Sequence, residues 1–375
     1  MIDLLRIRED IDRIDDEIVR LFEERMALAE AVAEFKIETG KPVFDKTRED
    51  EKLSKLTDEG STAFNKRGVQ ELFSQIMSIS RKRQYQLLTE KGIKGESEFT
   101  KIDELKIKDS RVVFQGMAGA YTFAAVNSFF GEDIASYHVE TWKEAMEDIK
   151  DDRADYAVLP IENSTAGAVT DIYDLLMEYR HSIVGEQIIK IEHALLAIAG
   201  ATITDIKTIY SHPQGLMQCR EYLESHREWQ SVELLNTAFA AKKVKEDGDV
   251  TQAAIASVHA AEHFGLNILE KGFHGETNET RFIIISKQKV YTQNAKKTTI
   301  CFELPHESGT LYNILSHFIY NGLSMNKIES RPIKGKNWEY RFFIDFEGTL
   351  DDSAVKNALR GIAQEATQLV VLGNY

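Results

Sequence analysis

The chain has 375 residues, 43% apolar and 29% charged, the composition of an ordinary soluble globular protein with material for two or three domains. Its 46 Lys and Arg face 61 Asp and Glu, and a net charge of -15 argues against nucleic acid as the main partner. Two cysteines, Cys219 and Cys301, build neither a disulfide framework nor a four-cysteine zinc site and suit a reducing cytoplasm; no signal peptide is expected in the charged first residues, and no apolar run is long enough to span a membrane.

Residues 1–88 read as helix. Ile7, Ile11, Ile14, Ile18, Leu21, Leu28, Val32 and Phe35 are spaced as the heptad seam of a helix packed along its length on other helices. Nothing interrupts Leu4 to Thr39, and Gly40-Lys41-Pro42 then stops the helix. At 1.5 Å per residue it is roughly 50 Å long, too long for one small domain to cover, so a homodimer or higher homo-oligomer is expected to bury the seam. Two shorter helices are predicted near 45–59 and 67–89. Residues 89–109, polar with two glycines, read as a linker.

Residues 110–287 alternate strand-like and helix-like runs. RVVFQG precedes AYTFAAVNSFFG, YAVLPIE precedes VTDIYDLLMEYR, IKTIYS precedes GLMQCREYLESHR, and QAAIAS precedes VHAAEHFG. Such alternation predicts βαβ units and a mostly parallel sheet with ligands at the carboxyl ends of its strands. Residues 296–375 give a strand, a helix, a strand pair around Gly335-Lys336-Asn337, a helix and a last strand, the βαββαβ order of ferredoxin-like domains.

Three groups of residues carry chemistry. In the helical segment, Arg25 breaks the apolar seam, and a charge there is unfavourable by several kcal/mol unless paired. Lys36, three turns on, projects from nearly the same face; Asp45, Arg48 and Glu49 share a face of the second helix, and Ser80 and Gln84 sit at i and i+4 on the third. Cations with one amide and one hydroxyl suit a small dicarboxylate, because Arg forks bind carboxylates bidentately. The same pattern also fits a solvated helix face. With Arg8, these residues match in order and spacing the all-helical chorismate mutase family, which the segment resembles across residues 4–88. The resemblance implies a Claisen rearrangement of chorismate to prephenate, catalysed by positioning and electrostatics. It implies that Arg25 and Arg48 hold carboxylates, Lys36 and Gln84 donate to the ether oxygen, Glu49 takes the substrate hydroxyl, and Asp45 and Ser80 complete the site. Arg8 lies 17 residues before Arg25 and about 100° away around the helix, so it should not share Arg25's pocket within one chain; the resemblance implies that it crosses into the partner subunit's site.

In the α/β segment, polar clusters fall at strand ends: Gln115-Gly116 with Gly119-Ala120-Tyr121, Pro160 to Ser164, Ser211 to Gln214 with Gln218 and Cys219, and Asn278 to Phe282. Singly, each is ordinary turn chemistry. Together, VLPIENSTAGAV, SHPQGLMQC, AAIAS and NETRF resemble the prephenate dehydratase family over residues 110–287. This implies a two-lobed α/β fold like that of periplasmic binding proteins, acting on prephenate to give phenylpyruvate. The family's Thr-Arg-Phe motif assigns Thr280 as hydrogen-bond donor to the departing hydroxyl and Arg281 as a carboxylate partner; Asn163, Ser164, Ser211, Gln218 and Phe282 would bind substrate. Many members carry a His two residues after the first cluster's Tyr, where this chain has Phe123.

The carboxyl-terminal segment resembles ACT-type amino-acid-binding domains through Glu329-Ser330-Arg331-Pro332 and Gly309-Thr310-Leu311, with Ser308 and Thr310 where Pro and Ala are usual. The resemblance implies L-phenylalanine as feedback effector, bound between two subunits. His259, Glu262 and His263 fit an inverted-zincin pattern, read as a solvated helix face for want of a third ligand. A non-catalytic amino-acid sensor is the other alternative, though it leaves the helical Arg and Lys cluster without a role. No nucleotide or cofactor motif is present, and neither reaction needs one.

Overall fold

A computed structural model describes residues 3–93, 97–273 and 278–375. The chain divides into two compact units, Met1–Ser97 with Ile300–Val371, and Glu98–Thr299 with Leu372–Tyr375.

The first unit opens with three helices, α1 (Leu4–Thr39), α2 (Lys46–Asp58) and α3 (Ala63–Glu90). Each starts on a side-chain cap: Asp3, Asp45 and Thr62 accept from the backbone amides of Arg6, Arg48 and Asn65. Gly40, at φ 68°, ends α1 in the left-handed conformation that side chains resist. The third helix begins four residues earlier than expected because Thr62 caps it there. Both α1 and α2 pack on α3. The α1 seam faces solvent in the single chain: Ile7, Ile11, Ile14, Ile18, Leu21, Leu28, Val32 and Phe35 are 44–65% exposed.

The second unit begins inside the expected linker, where β1 (Thr100–Ile102) pairs in parallel with β13, residues Val290–Thr292. Its first lobe contains β2 (Arg111–Gln115), α4 (Tyr121–Phe130), β3 (Ala135–Val139), α5 (Trp142–Lys150), β4 (Tyr156–Asn163), β5 (Gly167–Ala168), α6 (Thr170–Tyr179) and β6 (Ser182–Lys190). The second lobe contains β7 (His193–Ala197), β8 (Thr208–Ser211), α7 (Pro213–Gln218), α8 (Arg220–Glu224), β9 (Gln230–Glu233), α9 (Thr237–Asp247), β10 (Gln252–Ser257), α10 (Val258–Phe264) and β11 (Asn267–Lys271). The chain then returns through β12 (Glu279–Ser286) to the first lobe, where the strands run β6-β12-β4-β2-β3; the second lobe's order is β11-β7-β10-β8-β9.

The sheets are mixed rather than mostly parallel. Strands β2, β3 and β4, and likewise β8, β9 and β10, pair in parallel as βαβ units; β12 is antiparallel to β4 and β6, and β7 is antiparallel to β10 and β11. The strands that run against their neighbours, β7 and β12, are the first after each passage of the chain between the lobes. Apolar side chains such as Phe114, Val158, Phe282 and Ile284 fill the first lobe's core. Alanine-rich β10 and α9 allow close packing in the second lobe.

The first unit resumes at Ile300, within β14 (Lys297–Glu303), continues through α11 (Thr310–Tyr320), β15 (Met325–Pro332), β16 (Tyr340–Glu347) and α12 (Ser353–Glu365), and runs into β17 (Gln368–Asn374). Its strands lie in the order β15-β16-β14-β17. Both α11 and α12 pack on α3. Among the described residues, no helix is long and apolar enough to cross a membrane.

Candidate functional site

The helical site forms where the middle of α1 meets the second half of α3. Arg25, half-buried, donates to Ser80 Oγ, which itself donates to Ile76 O at 2.8 Å. Lys36, in the last turn of α1, donates to Val43 O at 2.6 Å and so ties α1 to the chain entering α2. Glu49 receives a hydrogen bond from Arg81. Gln84 is 6% exposed, and its Oε1 has no hydrogen-bond partner among the described residues. Burial pulls the Arg25 and Lys36 cations down and pushes the Glu49 carboxyl up, while Glu49 opposes the shift at both cations. Asp45 and Arg48 act electrostatically on Lys36, but both side chains are exposed. Arg8 is exposed on α1. Arg25, Lys36, Glu49, Ser80 and Gln84 thus come together, with Asp45 and Arg48 at the rim.

Arg81 was not singled out in the sequence. It is 6% exposed and links Glu49 to Glu365 of α12. Lys82, 3% exposed, donates to Ser78 and to Ser316 of α11, and burial pulls its pKa down to about 8.

The second constellation lies where β4 ends beside the start of β12, with Thr280 opposite Asn163 in the register. Asn163 Nδ2 donates to Thr280 Oγ1 at 2.9 Å and to Asn278 Oδ1 at 2.7 Å, and its Oδ1 accepts from the Thr165 hydroxyl and from the Thr165 and Ala166 amides. Ser164 Oγ accepts from Glu279 N at 2.9 Å. Gln218 of α7 approaches from the other lobe, 3.5 Å from Thr165 Oγ1 and 2.9 Å from His193 Nε2; His193 Nδ1 in turn lies 3.1 Å from Tyr121 OH. Thr165 lies within the VLPIENSTAGAV stretch but was not singled out there, and His193 falls in no recognisable pattern of its own.

Three residues sit apart from this group. Ser211 is fully buried and donates to Ile255 O at 2.7 Å, tying β8 to β10. Arg281 follows Thr280 on a strand, so its side chain takes the opposite face, where it pairs with Glu162 and Glu186. Phe282 is 2% exposed and belongs to the first lobe's core. Phe123 also packs there, against Phe114. His259, Glu262 and His263 are exposed on α10, and among the described residues no group of three His, Cys, Asp or Glu side chains is placed to hold a metal.

A third feature lies in the carboxyl-terminal segment. A cavity of 310 Å³ is lined by Leu304 to Ser308, Thr310, Leu311, Trp338 to Tyr340 and Phe342. It includes Thr310 and Leu311, beside the Gly309 turn. Glu329, Ser330, Arg331 and Pro332 lie instead on β15, a strand at the end of its sheet. They are not among the residues that line this cavity.

Residues 7–85 match the family of type II chorismate mutases, and residues 112–290 match the prephenate dehydratase family. A bifunctional chorismate mutase/prephenate dehydratase of Aquifex aeolicus is 33% identical over 381 residues, covering 100% of this chain and 98% of the relative. Among solved structures, prephenate dehydratase from Arthrobacter aurescens in complex with L-Phe is 32% identical with a TM-score of 0.65, over 71% of this chain and 89% of that one. GqqA, described as a quorum quenching acylase, is also 32% identical, with a TM-score of 0.66 over 71% of this chain and 97% of that one.

Proposed function

The chain belongs to the bifunctional chorismate mutase/prephenate dehydratase family and carries both activities, and we propose that the residues around Arg25 perform the first and those around Thr280 the second. The observation that carries this assignment is that each buried polar cluster falls within the stretch matched by one of the two families.

Chorismate carries two carboxylates and rearranges without a covalent intermediate, so its site must grip two anions and stabilise charge on the breaking ether oxygen. Arg25, held by Ser80, and Arg48 at the rim supply guanidinium forks. Lys36 and Gln84 donate to the ether oxygen, and Glu49 accepts the substrate hydroxyl. Asp45 fixes the start of α2 as its cap. Arg8 of a second copy closes the open side. The exposed apolar seam of α1 supports such a homodimer, since a stripe of this length is unfavourable in water. Placing two aspartates in the seam, Ile14→Asp with Ile18→Asp, is expected to give monomers by sedimentation and to abolish mutase activity in the same preparation. A double variant that stays dimeric and active would refute this arrangement.

Prephenate loses carbon dioxide and its ring hydroxyl as the ring becomes aromatic. The protein's task is to deliver a hydrogen bond to that hydroxyl as it departs. Thr280 Oγ1 accepts from Asn163, which leaves the hydroxyl proton of Thr280 available for donation. Gln218 and Ser164 border the same patch and orient substrate. Ser211 holds the floor through β10, Phe282 packs beneath, and Arg281 anchors β12 through Glu162 and Glu186.

Residues 296–375 act as an ACT-type ferredoxin-like module that binds L-phenylalanine and inhibits the enzyme. The strand order and the L-Phe complex of the Arthrobacter relative support this reading. Gly309, Thr310 and Leu311 of one copy and Glu329 to Pro332 of another form the site. Glu329→Ala or Arg331→Ala is expected to relieve inhibition by L-phenylalanine and to spare both activities; inhibition undiminished in both variants would remove the strand from the effector site.

Product analysis with chorismate, and separately with prephenate, tests the whole scheme. Phenylpyruvate from both substrates, suppressed by L-phenylalanine, is the expected result.

A further inference from the structure

The polar network of the mutase site continues out of the three helices into the last turn of α12. Arg81 is bonded on one side to Glu49 and on the other, at 3.0 Å, to Glu365 Oε1. The Arg81 and Glu365 side chains are only 7% and 8% exposed. Two carboxylates therefore share one buried guanidinium. Removing one would hand the whole fork to the other, because a buried cation takes whatever counter-charge it can reach.

Glu365 has a second buried neighbour. His317 Nε2, on α11, lies 3.2 Å from its Oε1, and His317 has no exposure to solvent. The helices can approach this closely because residue 361 is glycine: a Cβ there would lie 2.2 Å from the His317 ring. Burial alone would push Glu365 up, but His317 and Arg81 more than offset it and hold the carboxyl below its usual range. The adjacent Gln364 accepts from Phe44 N at 2.8 Å and from Tyr85 OH at 2.9 Å, so the same turn also holds the chain entering α2. The Phe44 ring packs 4.7 Å from the Arg81 guanidinium.

We propose that Glu365 is a positioning residue of the chorismate mutase, acting through Arg81 to set the place and charge of Glu49, so that the carboxyl-terminal module completes the mutase site. The proposal rests on the reading of Glu49 as acceptor of the substrate hydroxyl. The charged groups that act on Glu49 are Arg25 and Lys36 from α1, Arg81 from α3 and Glu365 from α12. Glu365 raises the affinity of Glu49 for a proton and Arg81 lowers it. Without the Glu365 charge, Glu49 titrates at lower pH and is drawn toward Arg81.

The test uses the full chain with chorismate as substrate. Glu365→Gln is expected to lower mutase kcat by about tenfold with KM changed by less than about twofold, as for a catalytic group displaced by a fraction of an ångström. The acid limb of its kcat/KM profile should move to lower pH, a shift that mere loosening of the helices would not produce. The dehydratase rate of the same preparation, whose site lies elsewhere, should be unchanged and reports on folding. If it falls as well, Glu365→Asp, which keeps the charge, decides: recovery of the mutase rate and of the acid limb supports the proposal, and no recovery overturns it. Glu49→Gln separates the two levels. A Glu49→Gln enzyme with full mutase activity refutes the site assignment beneath the proposal. An inactive Glu49→Gln enzyme beside a Glu365→Gln enzyme of parental rate and profile refutes the role of Glu365 alone.

Discussion

Replacing Arg25 by alanine is expected to lower mutase kcat/KM by about 10²–10³-fold, the usual loss for a preorganised donor aimed at substrate charge. Dehydratase activity with prephenate should stay at its parental level in the same tube. The magnitude follows from where Arg25 sits. Its guanidinium is half-buried, held by Ser80 at a known orientation, and already pulled down by desolvation, so a bound carboxylate recovers an interaction that water does not supply. Arg25→Lys should rescue little, since an ammonium cannot reproduce the two-pronged fork. Lys36→Ala should behave alike, with the further loss of the bond to Val43 O. The fold should survive both changes, because neither residue belongs to the apolar core. Mutase activity within a few fold of parental in Arg25→Ala would remove the helical cluster from the chemistry.

Replacing Thr280 by alanine is expected to cut dehydratase kcat by about 10²–10³-fold while the mutase is untouched. The methyl group of alanine fits the space, so packing is conserved and the deleted element is the hydroxyl. Asn163 would lose one acceptor, but its Nδ2 still reaches Asn278 and the Glu279 carbonyl, at 2.7 and 3.2 Å. Thr280→Ser, which keeps the hydroxyl, should recover most of the rate. Phenylpyruvate formed at the parental rate by Thr280→Ala would show that the departing hydroxyl is served by another group.

What could be read from the residues in order was what local physics controls. The spacing of Ile7 to Phe35 sets a helix and its apolar face whatever surrounds it, and Gly40 ends that helix through backbone sterics. Arg25 was legible as an anomaly because a charge in an apolar seam violates a pattern carried by its neighbours. The dehydratase strands were legible as alternation, and Asn163 and Thr280 as polar residues at strand ends.

Direction, face and burial were decided at longer range. The mixed pairing of β12 and β7 depends on the chain passing between two sheets, which no window of sequence contains. Thr280, Arg281 and Phe282 read as one motif, yet strand alternation sends the Arg281 side chain away from the Thr280 hydroxyl, and Phe282 is buried in the core. Arg81 and Lys82 carry no local signal, since nothing in the neighbouring residues distinguishes a buried cation from a solvated one. Only the packing of α3 against α11 and α12 buries them and gives Arg81 its second carboxylate, from a residue 284 positions away. Local sequence carried the long helices, the alternating strands and most of the residue types that can do chemistry. The tertiary structure decided which of them meet, because the pairing of buried charges depends on distances that only packing sets.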